Sequence, residues 1–167
     1  MTITQRARIA VPAALAGAAI AGFGVHAATA DSTATAKREA LARQVSPKGA
    51  SGRTLGLTRV TIPVGAVLAK HHHLGTQVAY IDQGTLTYTV YTGHVDVMKG
   101  AADEKPTLVR RISAGQTGEI KAGTWIVEQP TMHHMAQNKG SKPIVIYLST
   151  LFPNGAPPSV VDPPASR

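Results

Sequence analysis

The sequence predicts an all-β, single-domain chain folded as an antiparallel sandwich or barrel, and three observations carry that expectation. From Arg53 onward the apolar residues come in short runs rich in Val, Ile, Thr and Tyr, the types that fit a pleated, half-buried surface. Gly and Pro punctuate the gaps between runs, as they do where strands reverse. At 167 residues and 43% hydrophobic content the chain can bury one core and needs no second domain.

In chain order, residues 1–30 read as a signal peptide. Arg6 and Arg8 precede an uncharged, largely apolar run from Ile9 to Val25, and Ala28-Thr29-Ala30 has the small-x-small pattern of a cleavage site. Cleavage is expected after Ala30, which makes the mature protein secreted or periplasmic with no stable membrane insertion. The alternative is an N-terminal membrane anchor, although the richness in Ala and Gly makes the run weakly apolar. Residues 31–52 form an N-terminal arm and linker. Within it Lys37 to Val45 has helical spacing at Ala40, Leu41 and Val45 but would equally serve as an extended arm, and Ser46 to Gly52 is a loop by composition.

Residues 53–153 hold the expected barrel. Its apolar runs are Leu55 to Ile62, Val67 to His73, Val78 to Asp82, Leu86 to Tyr91, Val109 to Ile112, Trp125 to Glu128 and Ile144 to Leu151, within an expected six to eleven strands. Gly65 and Gly84 end turns that call for a residue tolerant of positive φ. Gly93 to Pro106 reads as a strand or turn followed by an exposed loop. Residues 154–167 form a Pro-rich tail expected to lie irregularly over the surface, since Pro donates no ladder hydrogen bond.

Composition narrows the function classes. The absence of cysteine excludes disulfides and thiol redox switching. Removal of residues 1–30 takes away two basic side chains, leaving fifteen against nine acidic ones and a net charge of +6. The longest basic run is Arg110-Arg111 and no aromatic-interleaved basic patch occurs, so nucleic acid is not an expected partner. Small anionic molecules are the more natural ones.

Two clusters, His71-His72-His73 and His133-His134, hold five of the seven histidines. On a strand, side chains alternate, so His71 and His73 share one face and His72 points away. After a turn at Leu74 to Thr76, Gln77 can return to the same side. Neutral imidazoles at i and i+2 converge on one point and suit a first-row divalent ion. Three ordinary histidines in a surface or core are the competing explanation.

The spacing resembles the first motif of the cupin family: Gly, five residues, His-x-His, three or four residues, Glu, six residues, Gly. Gly65, His71, His73, Gln77 and Gly84 match it, with Gln77 where the family usually has Glu. His134 and Asn138 resemble the end of the second motif, although Pro130 to His134 is one residue short and Met132 replaces a Gly. The resemblance spans roughly residues 53 to 153. It implies a jelly roll, a metal held by His71, His73, Gln77 and His134, and a small-molecule ligand or substrate. It also implies pairing through sheet edges and N-terminal arms, hence a homodimer. The metal is one divalent transition ion: Mn, Fe, Co, Ni, Cu or Zn.

As a ligand, Gln77 would leave the full charge of the ion uncompensated, giving weaker retention and a stronger Lewis acid; alternatively it only hydrogen-bonds within the site. The ligand types resemble those of the uronate-linearising cupins of pectin and alginate breakdown, but the spacing before Gln77 differs, so their substrate is not carried over. Small exported bacterial cupins with no assigned reaction are the nearer match, through the run Gly84-Thr-Leu-Thr-Tyr88 and the turn Asn138-Lys-Gly140.

Proton-transfer candidates are Tyr80, Tyr88, Glu128 and Tyr147. Alternation from Gln77 turns Tyr80 outward and Ile81 inward, Tyr88 faces inward if Leu86 does, and Glu128 sits just before the second histidine cluster, so Tyr88 and Glu128 are named as the catalytic candidates. Trp125 is expected in the core. The resulting expectation is an exported metal-dependent enzyme, of isomerase, lyase or dioxygenase type, acting on a small oxygen-rich anion. The alternative is a cupin that binds a small molecule or metal without turnover.

Overall fold

The computed structural model describes residues 35–163; the expected signal peptide and the last residues of the tail lie outside them. The described residues contain twelve strands and no helix. One sheet has seven strands in the order β1 (Lys37–Val45), β2 (Arg53–Ile62), β11 (Ile144–Pro153), β4 (Thr76–Gln83), β9 (Thr124–Glu128), β6 (His94–Lys99), β7 (Thr107–Ser113). The other has five, in the order β12 (Val160–Val161), β3 (Val67–His72), β10 (His134–Gln137), β5 (Thr85–Val90), β8 (Thr117–Lys121). Pairings throughout are antiparallel. The all-β jelly-roll expectation holds.

The strands bury alternate residues. On β4, Gln77, Ala79 and Ile81 face inward, and on β5 Leu86, Tyr88 and Val90 do. β-branched side chains fill the space between the sheets, where Ile62, Ile81, Ile112, Ile120, Ile126 and Ile144 are fully buried. Gly65 and Gly84 adopt φ of 77° and 83° at their turns, a region that costs an L side chain energy.

Several expectations need correction. The twelve strands exceed the expected range because β8, β10 and the two-residue β12 carry too few apolar residues to stand out as runs. Of the two readings left open for Lys37 to Val45, the extended arm is the one found: the segment is β1, an edge strand paired with β2 along its length. The tail is not wholly irregular, since β12 pairs with β3. Trp125 is half-buried on the outer face, because Thr124, Ile126 and Glu128 take the inner one. Its indole N–H donates to the Gly100 carbonyl at 3.0 Å instead.

Asn138 anchors the turn after β10. Its amide donates to the carbonyls of Ile62 and Lys142, each at 2.9 Å, and accepts from the Gly140 N–H at 3.0 Å, so a wholly buried side chain has its polar atoms paired. Its role is to close a turn rather than to contact a ligand.

Candidate metal centre

Register brings the two histidine clusters together. His134 on β10 lies opposite His71 on β3, and from there to Ala136 and Leu68 the β3 strand carries one extra residue. Such a bulge re-aims side chains, and here both Leu68 and His71 turn toward the core, with His71 buried. His73 follows the end of β3, held by the Thr131 N–H donating to its carbonyl at 3.0 Å. His71, His73 and His134 are all buried, with ring centroids 4.3 to 5.2 Å apart.

The hydrogen bonds settle the tautomers. Nδ1 of His71 meets the Ala69 carbonyl at 2.6 Å, Nδ1 of His73 the Pro158 carbonyl at 2.8 Å, and Nδ1 of His134 the Met132 carbonyl at 3.1 Å. A carbonyl only accepts, so each ring carries its proton on Nδ1 and presents an Nε2 lone pair. Backbone carbonyls in this role orient and strengthen imidazole ligands. The three rings offer nitrogen atoms within 4.8 Å of one another and could hold a metal ion. The donor set fits a borderline divalent ion.

The structure adds a carboxylate that the motifs did not contain. Gln77 on β4 lies opposite Glu128 on β9, and Glu128 is 4% exposed. Its Oε2 is 3.4 Å from His73 Nε2 and its Oε1 3.4 Å from His134 Nε2. The Tyr88 hydroxyl donates to Oε1 at 2.6 Å, and the Gln77 amide nitrogen donates to Oε2. That amide nitrogen also contacts His73 Nε2 at 3.0 Å. Gln77 therefore stands where the motif predicts, but it is the nitrogen rather than the oxygen that faces His73 and Glu128.

Of the expected proton-transfer groups, Tyr88 and Glu128 lie inside; Tyr80 and Tyr147 pair across the outer face, with Tyr80 43% exposed. His72 and His133 lie outside the triad, as alternation requires.

Burial works against a charge on His71 and on His134. Burial first, and then His134 and His73, push His71 from 6.5 down to about 4, against the Ala69 carbonyl and Glu128. Burial also lowers His134, against Glu128. Burial opposes the charge on Glu128, but His134, His73 and Tyr88 outweigh it and hold the carboxyl well below the carboxylate range. Burial and then Glu128 raise Tyr88, so it stays a donor.

A stability prediction follows for the metal-free protein. As pH falls below the unfolded value of 6.5, the unfolded chain binds a proton that folded His71 refuses until about 4. His71 thus leaves stability intact above that window and removes about 3 kcal/mol across it. Urea unfolding at a series of pH values measures this; constant stability between pH 6.5 and 5 would contradict a buried neutral His71.

Arg38 completes the site and had no signal in the sequence beyond a basic residue in an arm. It lies opposite buried Val60 on β2, and Cα partners share a face. Arg38 lines the inner cavity of about 40 Å³ together with the triad, Gln77 and Glu128. It also lines a groove of about 480 Å³ with Gln77, Phe152 and Pro158. The residue as a whole is exposed on its edge strand, but desolvation where it lines the cavity lowers its pKa, and Glu128 counters the effect.

No family model and no curated relative matches the sequence. Among solved structures, the chain is similar to a cupin 2 domain-containing protein from Halorhodospira halophila. The TM-score is 0.51 at 11% identity, over 83% of this chain and 77% of that one. The chain has the cupin fold. KdgF from Halomonas sp. aligns at 18% identity and a TM-score of 0.45, over 69% of this chain and 77% of that one. Bacillus subtilis oxalate decarboxylase, described with Mn(II) centres, aligns at 22% identity and a TM-score of 0.43, over 64% of this chain and 23% of that one. A cupin fold at such identities says how the strands are laid out and leaves the reaction to the site.

Proposed function

We propose that the chain is an exported metal-dependent enzyme acting on a small oxygen-rich anion, with His71, His73 and His134 as metal ligands and Glu128 as the general base. The observation that carries this reading is a buried Glu128 within 3.4 Å of Nε2 of both His73 and His134, with His71 completing the triad of converging rings. A divalent ion bound there supplies Lewis acidity. Glu128 can take a proton from a ligand at the cavity, while Tyr88 donates to it and fixes its orientation. Arg38, always charged, offers a fork of donors to a carboxylate or enolate entering from the groove.

The inner cavity has room for an ion and little else, so an organic anion occupies the larger groove and reaches the site past Gln77 and Arg38. That small volume also favours the second reading, a metal-binding protein with no turnover. A screen of uronates and β-diketones on metal-loaded protein, with oxygen uptake followed in parallel, separates the two. Turnover lost in Arg38→Met supports the enzyme; no turnover with any metal of the series supports the binder.

Gln77→Glu tests the fourth ligand position. Two carboxylates then face each other, so the metal-free protein melts lower, and the added charge tightens metal binding on the order of tenfold with proton release. Calorimetric titration in two buffers measures both effects. Unchanged affinity would show that position 77 never touches the metal.

Export rests on residues 1–30. Expression in a bacterial host with the native N-terminus should yield protein whose intact mass begins at Asp31; retention of residues 1–30 in a membrane fraction would indicate the anchor instead.

A further inference from the structure

Behind the buried triad, on the outer side of the five-stranded sheet, lies a second cluster with no part in the chemistry above. The register that sets His134 opposite His71 also brings together their outward neighbours, His133 and His72, whose ring centroids are 4.6 Å apart. The tail adds a third group. β12 pairs Val160 with His72 and Val161 with His71, and the Asp162 N–H continues the ladder by donating to the Lys70 carbonyl at 2.9 Å. This leaves the Asp162 carboxylate over both rings, with Oδ1 3.4 Å from His72 Nδ1 and Oδ2 2.7 Å from His133 Nδ1.

We propose that His72, His133 and Asp162 form a second divalent transition-metal site, in which the C-terminal tail supplies the carboxylate. Two imidazole nitrogens and one carboxylate oxygen, all within 4.8 Å, are a ligand set for Zn²⁺, Ni²⁺, Co²⁺ or Cu²⁺, with water completing the shell. Ligands around a tetrahedral ion with bonds of about 2.0 to 2.1 Å stand about 3.3 Å apart. The His72 to Asp162 separation already has that value, whereas the His133 contact is a hydrogen bond that the ion opens by ring rotation. The rings are 20% and 30% exposed and so less enclosed than the Asp162 carboxylate, which is 9% exposed and held by its backbone hydrogen bond to Lys70.

Partial burial raises Asp162, but His133, Lys70 and His72 outweigh it and hold the carboxyl down to about 2, so it is anionic at neutral pH.

Lys70 competes for this place, with its ammonium 3.0 Å from Asp162 Oδ2. The same ammonium is 4.9 Å from the centroid of the Tyr91 ring, an alternative seat when a metal displaces it. The competition makes the outer site weaker than the inner one. Occupancy would clamp the tail to β3 and β10, and with it the Pro158 carbonyl that orients His73.

Equilibrium dialysis of chelator-treated full-length protein against Zn²⁺, read by elemental analysis, tests the site. Wild type should take two equivalents and Asp162→Asn one, while His73→Ala/His134→Ala should keep one that His72→Ala then removes. Lys70→Met should tighten the weaker equivalent several-fold, a change that a mere ion-pair cluster would not produce. One equivalent in wild type, unchanged in Asp162→Asn and in Lys70→Met, overturns the proposal. Because the outer equivalent is read in a protein lacking inner ligands, the result is independent of the inner centre's function.

Discussion

His73→Ala and His134→Ala each lower the affinity of the inner site for a divalent ion on the order of a hundredfold or more, and neither protein retains the tightly held inner ion through gel filtration. The size follows from losing one of three neutral nitrogen ligands whose orientation is already set by a backbone carbonyl, when loss of such an orienting partner alone costs about 10- to 100-fold. His72→Ala sits one residue away with its ring on the opposite face, so the tightly held ion stays. Elemental analysis after gel filtration checks this. Equal loss of tightly held metal from His72→Ala and His73→Ala would show that the two faces were misassigned.

The second large effect is expected at Glu128. Glu128→Gln removes the negative charge beside the triad and should cut turnover of any substrate found in the screen by about 10² to 10⁴, the range for a lost general base. The position is buried and its partners are Tyr88 and the Gln77 amide nitrogen. An amide in its place must turn either an oxygen or a nitrogen toward Gln77, and with the nitrogen there two donors face each other. Some stability is lost, and the melting temperature reports it separately. Comparing kcat with KM divides the roles: a fall in kcat at constant KM marks a base, whereas weakened metal binding with recovery at high metal concentration marks a ligand. Full activity in Glu128→Gln would remove Glu128 from the mechanism.

Local periodicity made much of the site legible. The two-residue repeat of a strand separates His71 and His73 from His72, and carries Tyr80 outward and Ile81 inward, without knowledge of any partner strand. Turn chemistry likewise identifies Gly65 and Gly84, because positive φ is a property of one residue. Strands β8 and β10 are not legible in the sequence because their character lies in what they pair with rather than in their composition.

Tertiary structure decided what lies across from what. Glu128 becomes the carboxylate of the site only because β9 pairs with β4 in the register that sets it opposite Gln77. Arg38 reaches the mouth only because β1 lies along β2, and His73 receives its orienting carbonyl from Pro158, 85 residues away. Asp162 meets His72 and His133 by the same kind of long-range pairing. The sequence by itself determined which face of its own strand each ligand takes, since side-chain alternation is local. Register between strands depends on the sum of many distant contacts, so the neighbours that give those ligands their tautomer, their charge and their access were settled only by the folded chain.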